Sequence, residues 1–349
     1  SMSKAAELAA LIGSQTAQGN KNLIINGAMN VAQRGTSSSG LGSDTSANFI
    51  VDRTFTSSNS AGRYTASQNT VTDLPGFANS LKLDCTTADT SIAADEYLLL
   101  QHRLEGQNLQ QLKKGTSSAE SVTLSFYVKG NAAATYTAEL YDYDNTRTFS
   151  QRFNVTTSWN RISLTYAGDT SGALDDDNAL SFIFIVWLHA GSNYTSGTQN
   201  SGWAAYDATT RANSSDTSFF DSTDRTFEIT GIQLQIGDVA TAFEHEEIST
   251  TLRKCRRYYQ KLVGTSYYGG FHAYTGSTAI FVQLVPSMRA APDVTQYNVR
   301  NATTGAAASS QSANYINVDG FVAPIDGAGG SDTHASHING ASMEADAEL

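Results

Sequence analysis

The stretch Ser121-Val-Thr-Leu-Ser-Phe-Tyr-Val-Lys129 decides the fold. Val122, Leu124, Phe126 and Val128 fall on one side of an extended chain, with Thr123, Ser125 and Tyr127 on the other. Successive side chains of a strand point to opposite faces, so this alternation predicts a strand with one buried face. Tyr136, Ala138 and Leu140 repeat the pattern. Phe149, Phe153 and Val155 repeat it with one break at Gln151, and Ile162, Leu164 and Tyr166 follow. Turn-forming residues at 129–131, 144–145 and 168–172 separate these runs. Residues 180–188 are apolar on both faces, which predicts a central strand covered twice. Phe227 and Ile229, then Ile232, Leu234 and Ile236, predict a late strand whose register is restored by a bulge at Gly231. Closely spaced strands without βα alternation predict an all-β, two-sheet sandwich.

Composition agrees. Of 349 residues, 40% are hydrophobic, with 16 Tyr, 15 Phe and 3 Trp, enough for a substantial core. Ser and Thr together number roughly 80. With 16% charged residues, 28 Gly and only 4 Pro, coiled-coil and collagenous chains are excluded. Lys and Arg total 22 against 33 Asp and Glu, a net charge of −11 that argues against nucleic acid as a partner. The one basic run, 253–257, reads as a solvated helix face. Cys85 and Cys255 form no CxxC or Cys/His ligand spacing and read as two buried free thiols. The longest apolar run has nine residues against the roughly 20 that span a bilayer as a helix, so membrane insertion is not expected. No signal peptide is evident, and Ser1-Met2 reads as a tag remnant.

Four segments are expected. Residues 1–20 read as a connector with one short amphipathic helix, and 21–248 as the sandwich. Residues 249–262 read as a linking helix capped by Ser249 or Thr250, with Leu252, Cys255, Tyr259 and Leu262 at 3-4-3 spacing. That seam fits either a shared oligomer axis or packing on its own domain. Residues 263–349 read as a distal β domain, with a last strand alternating Met343, Ala345, Ala347 and Leu349.

Several segments together resemble bacteriophage tail fibre and receptor-binding proteins. Asn22-Leu-Ile-Ile-Asn-Gly-Ala-Met-Asn-Val-Ala-Gln-Arg-Gly-Thr36 resembles the opening of their jelly-roll domain, and Val51-Asp52-Arg53 the strand that follows. Thr230-Gly-Ile-Gln-Leu-Gln-Ile-Gly-Asp-Val-Ala-Thr-Ala-Phe-Glu244 resembles its closing strand. Leu252-Arg-Lys-Cys-Arg-Arg-Tyr-Tyr-Gln-Lys261 resembles the helix leading to a distal domain, and Ala345-Asp-Ala-Glu-Leu349 the fibre's end. The resemblance implies a carbohydrate-binding-module-like jelly roll and a homotrimer on the virion that meets tail or capsid proteins. It also implies recognition of a bacterial surface glycan or protein receptor, outside the cell after release.

Catalysis is not expected. Asp142 with Asp144, the run 175–177, and Asp221 with Asp224 all sit in turn-like contexts where Asp serves turn geometry, although glycoside hydrolysis needs two facing carboxylates. No G-x-S-x-G elbow, H-E-x-x-H pair or β-helical repeat occurs. Two metal readings stand beside plain structural ones. Asp175 and Asp177 offer oxygen ligands for a structural calcium ion, and His334 and His337 offer imidazoles for a transition metal on a trimer axis. For a receptor, aromatic faces with neighbouring polar groups mark two sets. One is Tyr194, Trp203, Tyr206 and Asp207 on a long loop. The other is Tyr267, Tyr268, Phe271, His272 and Tyr274 in the distal domain. The leading expectation is therefore a non-catalytic adhesin. A purely structural virion protein and a glycan-degrading enzyme are the alternatives.

Overall fold

The computed structural model describes residues 22–43, 45–264, 271–273, 277–297, 313–324 and 341–349. The connector helix expected within 3–20 lies outside the described residues. Thirteen strands build the sandwich: β1 (Ser37–Leu41), β2 (Asn48–Val51), β3 (Thr54–Asn59), β4 (Arg63–Thr70), β5 (Asn79–Thr87), β6 (Tyr97–Glu105), β7 (Val122–Gly130), β8 (Ala134–Asp142), β9 (Arg147–Val155), β10 (Asn160–Tyr166), β11 (Leu180–Ala190), β12 (Ala204–Ala205) and β13 (Thr226–Ile236). One sheet has the order β1-β4-β5-β13-β7-β10 and the other β12-β9-β8-β11-β6-β3-β2. This is a jelly-roll sandwich.

The alternation seen in sequence is the alternation of the core. Leu124, Phe126 and Val128 of β7 meet Phe182, Phe184 and Val186 of β11, all buried. The Phe126 ring lies 5.1 Å from Phe153 and 6.1 Å from Phe184. Gln151, which breaks the pattern on β9, is half-buried at the sandwich edge, where its Nε2 donates to the Thr165 carbonyl of β10 in the opposite sheet. The register of β13 on β7 shifts between Thr230 and Gln233, and Gly231 there has φ +62°. A Cβ at Gly231 would stand 2.8 Å from Phe77 and 2.9 Å from Tyr127, so the bulge needs glycine. Both cysteines are free and buried.

The helix is shorter than its periodicity predicts. α1 (Ser192–Thr195) is a single turn, and α2 (Ile248–Arg256) stops before Tyr259. Glu247 stands at its N-cap without a side-chain hydrogen bond, in place of Ser249 or Thr250. The chain turns at Arg257-Tyr258 and enters β14 (Tyr259–Gly264). Tyr259 and Leu262 therefore lie on a strand and cannot extend a helical seam with Leu252 and Cys255. Cys255 is buried within its own chain, where burial and the neighbouring Asp52 push its thiol well up. The remaining strands are β15 (Phe271–Ala273), β16 (Ser277–Gln283), β17 (Asp293–Tyr297), β18 (Asn314–Asn317), β19 (Gly320–Pro324) and β20 (Ala341–Asp346). They form a three-stranded sheet, β14-β20-β17, and a four-stranded sheet, β15-β16-β19-β18. Val282, Leu284, Met288, Phe321, Met343 and Ala345 fill the small core of this smaller β region.

Buried charge joins sandwich to distal region. Arg53, 2% exposed in the β2–β3 turn with φ +71°, lies 3.4 Å over the Tyr258 ring. It pairs with Glu348 and donates to the Arg103 carbonyl at 2.6 Å. Arg34 stacks 3.6 Å over Tyr259 and pairs with Asp346 at 2.9 Å. Arg257 holds Glu105 through two bonds of 3.2 and 2.9 Å. The expected boundary within a linking helix is instead a turn clamped from both sides.

Breaking such a pair strands a charge. Arg53→Met is expected to lower unfolding free energy by roughly 3–5 kcal/mol, read by denaturant titration, with partial recovery when Glu348→Gln is added. Burial pushes the Glu105 carboxyl up, but hydrogen bonds from Arg257 and Tyr258 outweigh it and hold its pKa below the ordinary value. A lowered folded pKa gives stability that is present above the unfolded value, about 4.3, and lost as pH falls through the folded one. Stability measured from pH 6 downward should therefore fall less steeply below about pH 4.5 in Glu105→Gln than in the parent chain.

Candidate functional site

The register of the seven-stranded sheet assigns its outer face. Leu98 and Leu100 of β6, Ala138 and Leu140 of β8, and Phe184 and Val186 of β11 point into the core. Their neighbours Tyr97 and Leu99, Glu139 and Tyr141, and Ile185 and Trp187 therefore point outward. The loop 191–217 folds over this face and is not a structureless excursion: it contains α1, β12 and a 3-10 turn at Ala208–Thr210. Its anchor is Arg211. The guanidinium donates from Nε to Glu139 Oε1 and from a terminal nitrogen to Oε2, both at 2.9 Å. The Trp187 indole donates to the same carboxylate at 2.7 Å. Burial opposes the charge on Arg211, but Glu139 overrules it and keeps the guanidinium firmly protonated. A second tie joins Asp216 to Arg152 at 2.7 Å and to the Thr137 hydroxyl.

Around this anchor the fold gathers tyrosines. Arg211 lies 4.8 Å over Trp187, 5.1 Å over Tyr206 and 5.3 Å over Tyr141. Tyr141 contacts Tyr206 at 5.6 Å and Tyr143 at 5.9 Å between ring centres. Tyr194 contacts Trp187 at 5.1 Å and Tyr97 at 6.0 Å. Tyr143 and Tyr206 are 52% and 38% exposed, so ring surface faces solvent beside a rigid buried base. Burial raises the pKa of the Tyr141 and Tyr194 hydroxyls, which stay protonated as donors at neutral pH. Such a surface can take the C–H face of a ring-shaped ligand and bond its hydroxyls.

Of the loop residues picked from sequence, Tyr194 and Tyr206 belong to this face. Trp203 does not. Its indole packs half-buried against Phe149 and Phe182 at the end of the core and donates to the Ala167 carbonyl at 2.7 Å. Asp207 is exposed and caps the 3-10 turn: its Oδ1 accepts from the Thr209 amide and hydroxyl, and these bonds hold its carboxyl below the ordinary range. Tyr267, Tyr268, Tyr274, His334 and His337 lie outside the described residues. His272 is in β15, paired with Thr278; its side chain lies outside the description. Asp175 and Asp177 are on an exposed turn, where Asp177 Oδ1 accepts from the Ala179 amide. Asp142 pairs with Lys114 and Asp221 with Arg225, which gives both carboxylates structural partners. Among the described residues one group of three metal-competent side chains converges: Asp89, Glu96 and His189.

Sequence reading missed Tyr97, Tyr141, Tyr143, Glu139, Trp187 and Arg211 because they meet only across strands. Tyr141-x-Tyr143 was the available signal, two aromatics on one side of β8 and its turn.

No family model matches the chain, and no curated protein matches it. Solved structures that resemble it include a CBM4 structure, at 11% identity and TM-score 0.30 over 61% of this chain and 99% of that one. A family 11 carbohydrate-binding module from Clostridium thermocellum, in complex with a β-1,3-1,4-mixed-linked tetrasaccharide, is 14% identical at TM-score 0.29, over 59% and 99%. The enzymatically active domain of bacteriophage CBA120 tailspike protein 4 is 10% identical at TM-score 0.30, covering 62% of this chain and 21% of that one. At these scores the matches carry nothing about ligands.

Arg211→Ala should free the loop while sparing the sandwich. Exchange of the Gly197 and Ala212 amides, bonded to Thr209 and Tyr194 carbonyls, is expected to quicken by roughly a hundredfold or more, with β7 amides unchanged.

Proposed function

We propose that this chain is a subunit of a trimeric bacteriophage fibre that adheres, without catalysis, to a bacterial surface glycan laid against the tyrosine-lined outer face of the seven-stranded sheet. The observation that carries the reading is the pair of exposed rings, Tyr143 and Tyr206, flanking Tyr141 over the buried Arg211–Glu139 base. The fibre assignment is supported by the resemblance of residues 22–36, 51–53, 230–244 and 252–261 to phage fibre segments. Stacking on tyrosine is weak per contact, and three linked copies gain avidity without any new contact. The guanidinium is consumed by Glu139 and the net charge is −11, so an uncharged glycan suits this surface better than a polyanionic one.

Host cells carrying a fluorescent copy of the protein supply the test. Tyr206→Ala and Tyr143→Ala are each expected to weaken binding by roughly tenfold, and binding should change little between low and high salt. Trp203→Ala should lower stability instead. Undiminished adhesion in both tyrosine variants would sink the assignment of the face. Reducing ends released from host polysaccharide would sink the non-catalytic reading, and a monomer by light scattering would sink the trimer.

A further inference from the structure

Where the β5–β6 connection meets the end of β11 lie three ionisable side chains whose charges do not balance. Asp89 and Glu96 come from the β5–β6 connection and His189 from the end of β11; they are 7%, 8% and 2% exposed. Their ligand atoms all lie within 4.8 Å of one another. Neither carboxylate has a Lys or Arg ion-pair partner among the described residues, and the imidazole is the basic group they share. Two adjacent carboxylates out of water cannot both stay ionised without a cation or a retained proton.

The surroundings orient these groups and leave one atom open. Glu96 accepts from the Ala61 amide at 3.0 Å and the Ala93 amide at 2.9 Å. Asp89 accepts from the Ser91 amide at 3.1 Å and the Ser60 hydroxyl at 3.2 Å. His189 Nδ1 meets the Ser218 hydroxyl at 2.8 Å, and its ring packs 5.1 Å from Phe220. Nε2 has no hydrogen-bond partner. It stands 3.5 Å from Glu96 Oε2, close to the roughly 3.3 Å between two ligand atoms that share a tetrahedral ion at bonds of about 2.0–2.1 Å.

We infer that Asp89, Glu96 and His189 bind a divalent transition-metal ion of the zinc class. Nitrogen beside two oxygens selects that class over calcium or magnesium, which take oxygen alone. Ser218 is the outer-shell partner that fixes the imidazole, as hydrogen bonds to the second ring nitrogen do in metal sites. A cavity of about 230 Å³ lined by His189, Gly191, Asp216 and Ser218 lies beside the imidazole, and neither Asp89 nor Glu96 lines it. Gly191 donates to the Glu96 carbonyl at 2.8 Å, so the ion would clamp the β5–β6 connection to the root of the loop carrying Tyr194 and Tyr206.

The test uses the full chain stripped with chelator and titrated with Co2+, then Zn2+. One Co2+ per chain with a visible d–d band, displaced by one Zn2+, is expected, and Zn2+ at a hundredfold over Kd should raise the thermal midpoint by roughly 5–10 °C. Ser218→Ala should weaken binding by roughly 10–100-fold. Glu96→Gln and His189→Ala, each checked for native circular dichroism, should lose the band. No stoichiometric Co2+ signal from the parent chain at millimolar metal overturns the assignment. So does a band that survives in folded Glu96→Gln and His189→Ala, as it would if His334 and His337 carried it.

Discussion

The Arg53 guanidinium is the constraint around which the rest is arranged. A permanently charged group at 2% exposure is tolerable only where a counter-charge and further contacts answer it. Here the Tyr258 ring covers one face, Glu348 supplies the counter-charge and the Arg103 carbonyl takes a further bond. These partners come from the turn after α2, the residues following β20, and β6. Meeting Arg53 therefore fixes where α2 must end and which strand leads away from it. Tyr258 and Tyr259 are both buried by this arrangement, at 1% and 2%.

Four of the five segments that resemble phage fibre sequences also meet here. Arg34 and Gln33 come from the opening motif, Asp52 and Arg53 from the second, Tyr258 and Tyr259 from the helix motif, and Asp346 and Glu348 from the end. Gln33 donates from its side-chain Nε2 to the Tyr259 carbonyl at 2.8 Å and from its backbone N–H to Asp52 Oδ1 at 2.8 Å. What looks in sequence like a set of separate signatures is one joint between two β regions. Its residues are occupied with one another.

The sandwich was legible because its information is local. Val122 to Val128 alternate within a single strand, and Gly231 marks its own bulge, so period and backbone constraint can be read without knowing any partner. The end of α2 was not legible for the opposite reason. Leu252, Cys255, Tyr259 and Leu262 keep a helical spacing, yet pairing of Tyr259 with Asp346 across the sheet overrides it. The tyrosine face was half legible. Tyr194 and Tyr206 declare themselves on a loop, whereas Tyr97 and Tyr141 join them only through the order β8-β11-β6. Trp203 misleads because an aromatic on a polar loop reads the same whether it faces outward or plugs the end of a core.

The two loop anchors, Arg211 on Glu139 and Asp216 on Arg152, have a consequence for how this face can change over time. Both lie at the distal end of the loop, and the backbone bond from Gly197 to Thr209 closes its middle into a bracketed excursion. Residues 198–208 divide within that bracket: Trp203 closes the end of the core and Gln199 bonds Thr137, so these two are held by the fold. Ser201, Ala205 and Tyr206 face solvent, and their side chains can drift while the socket that receives the loop stays constant. A chain built this way keeps the residues that seat the loop apart from those it shows to solvent.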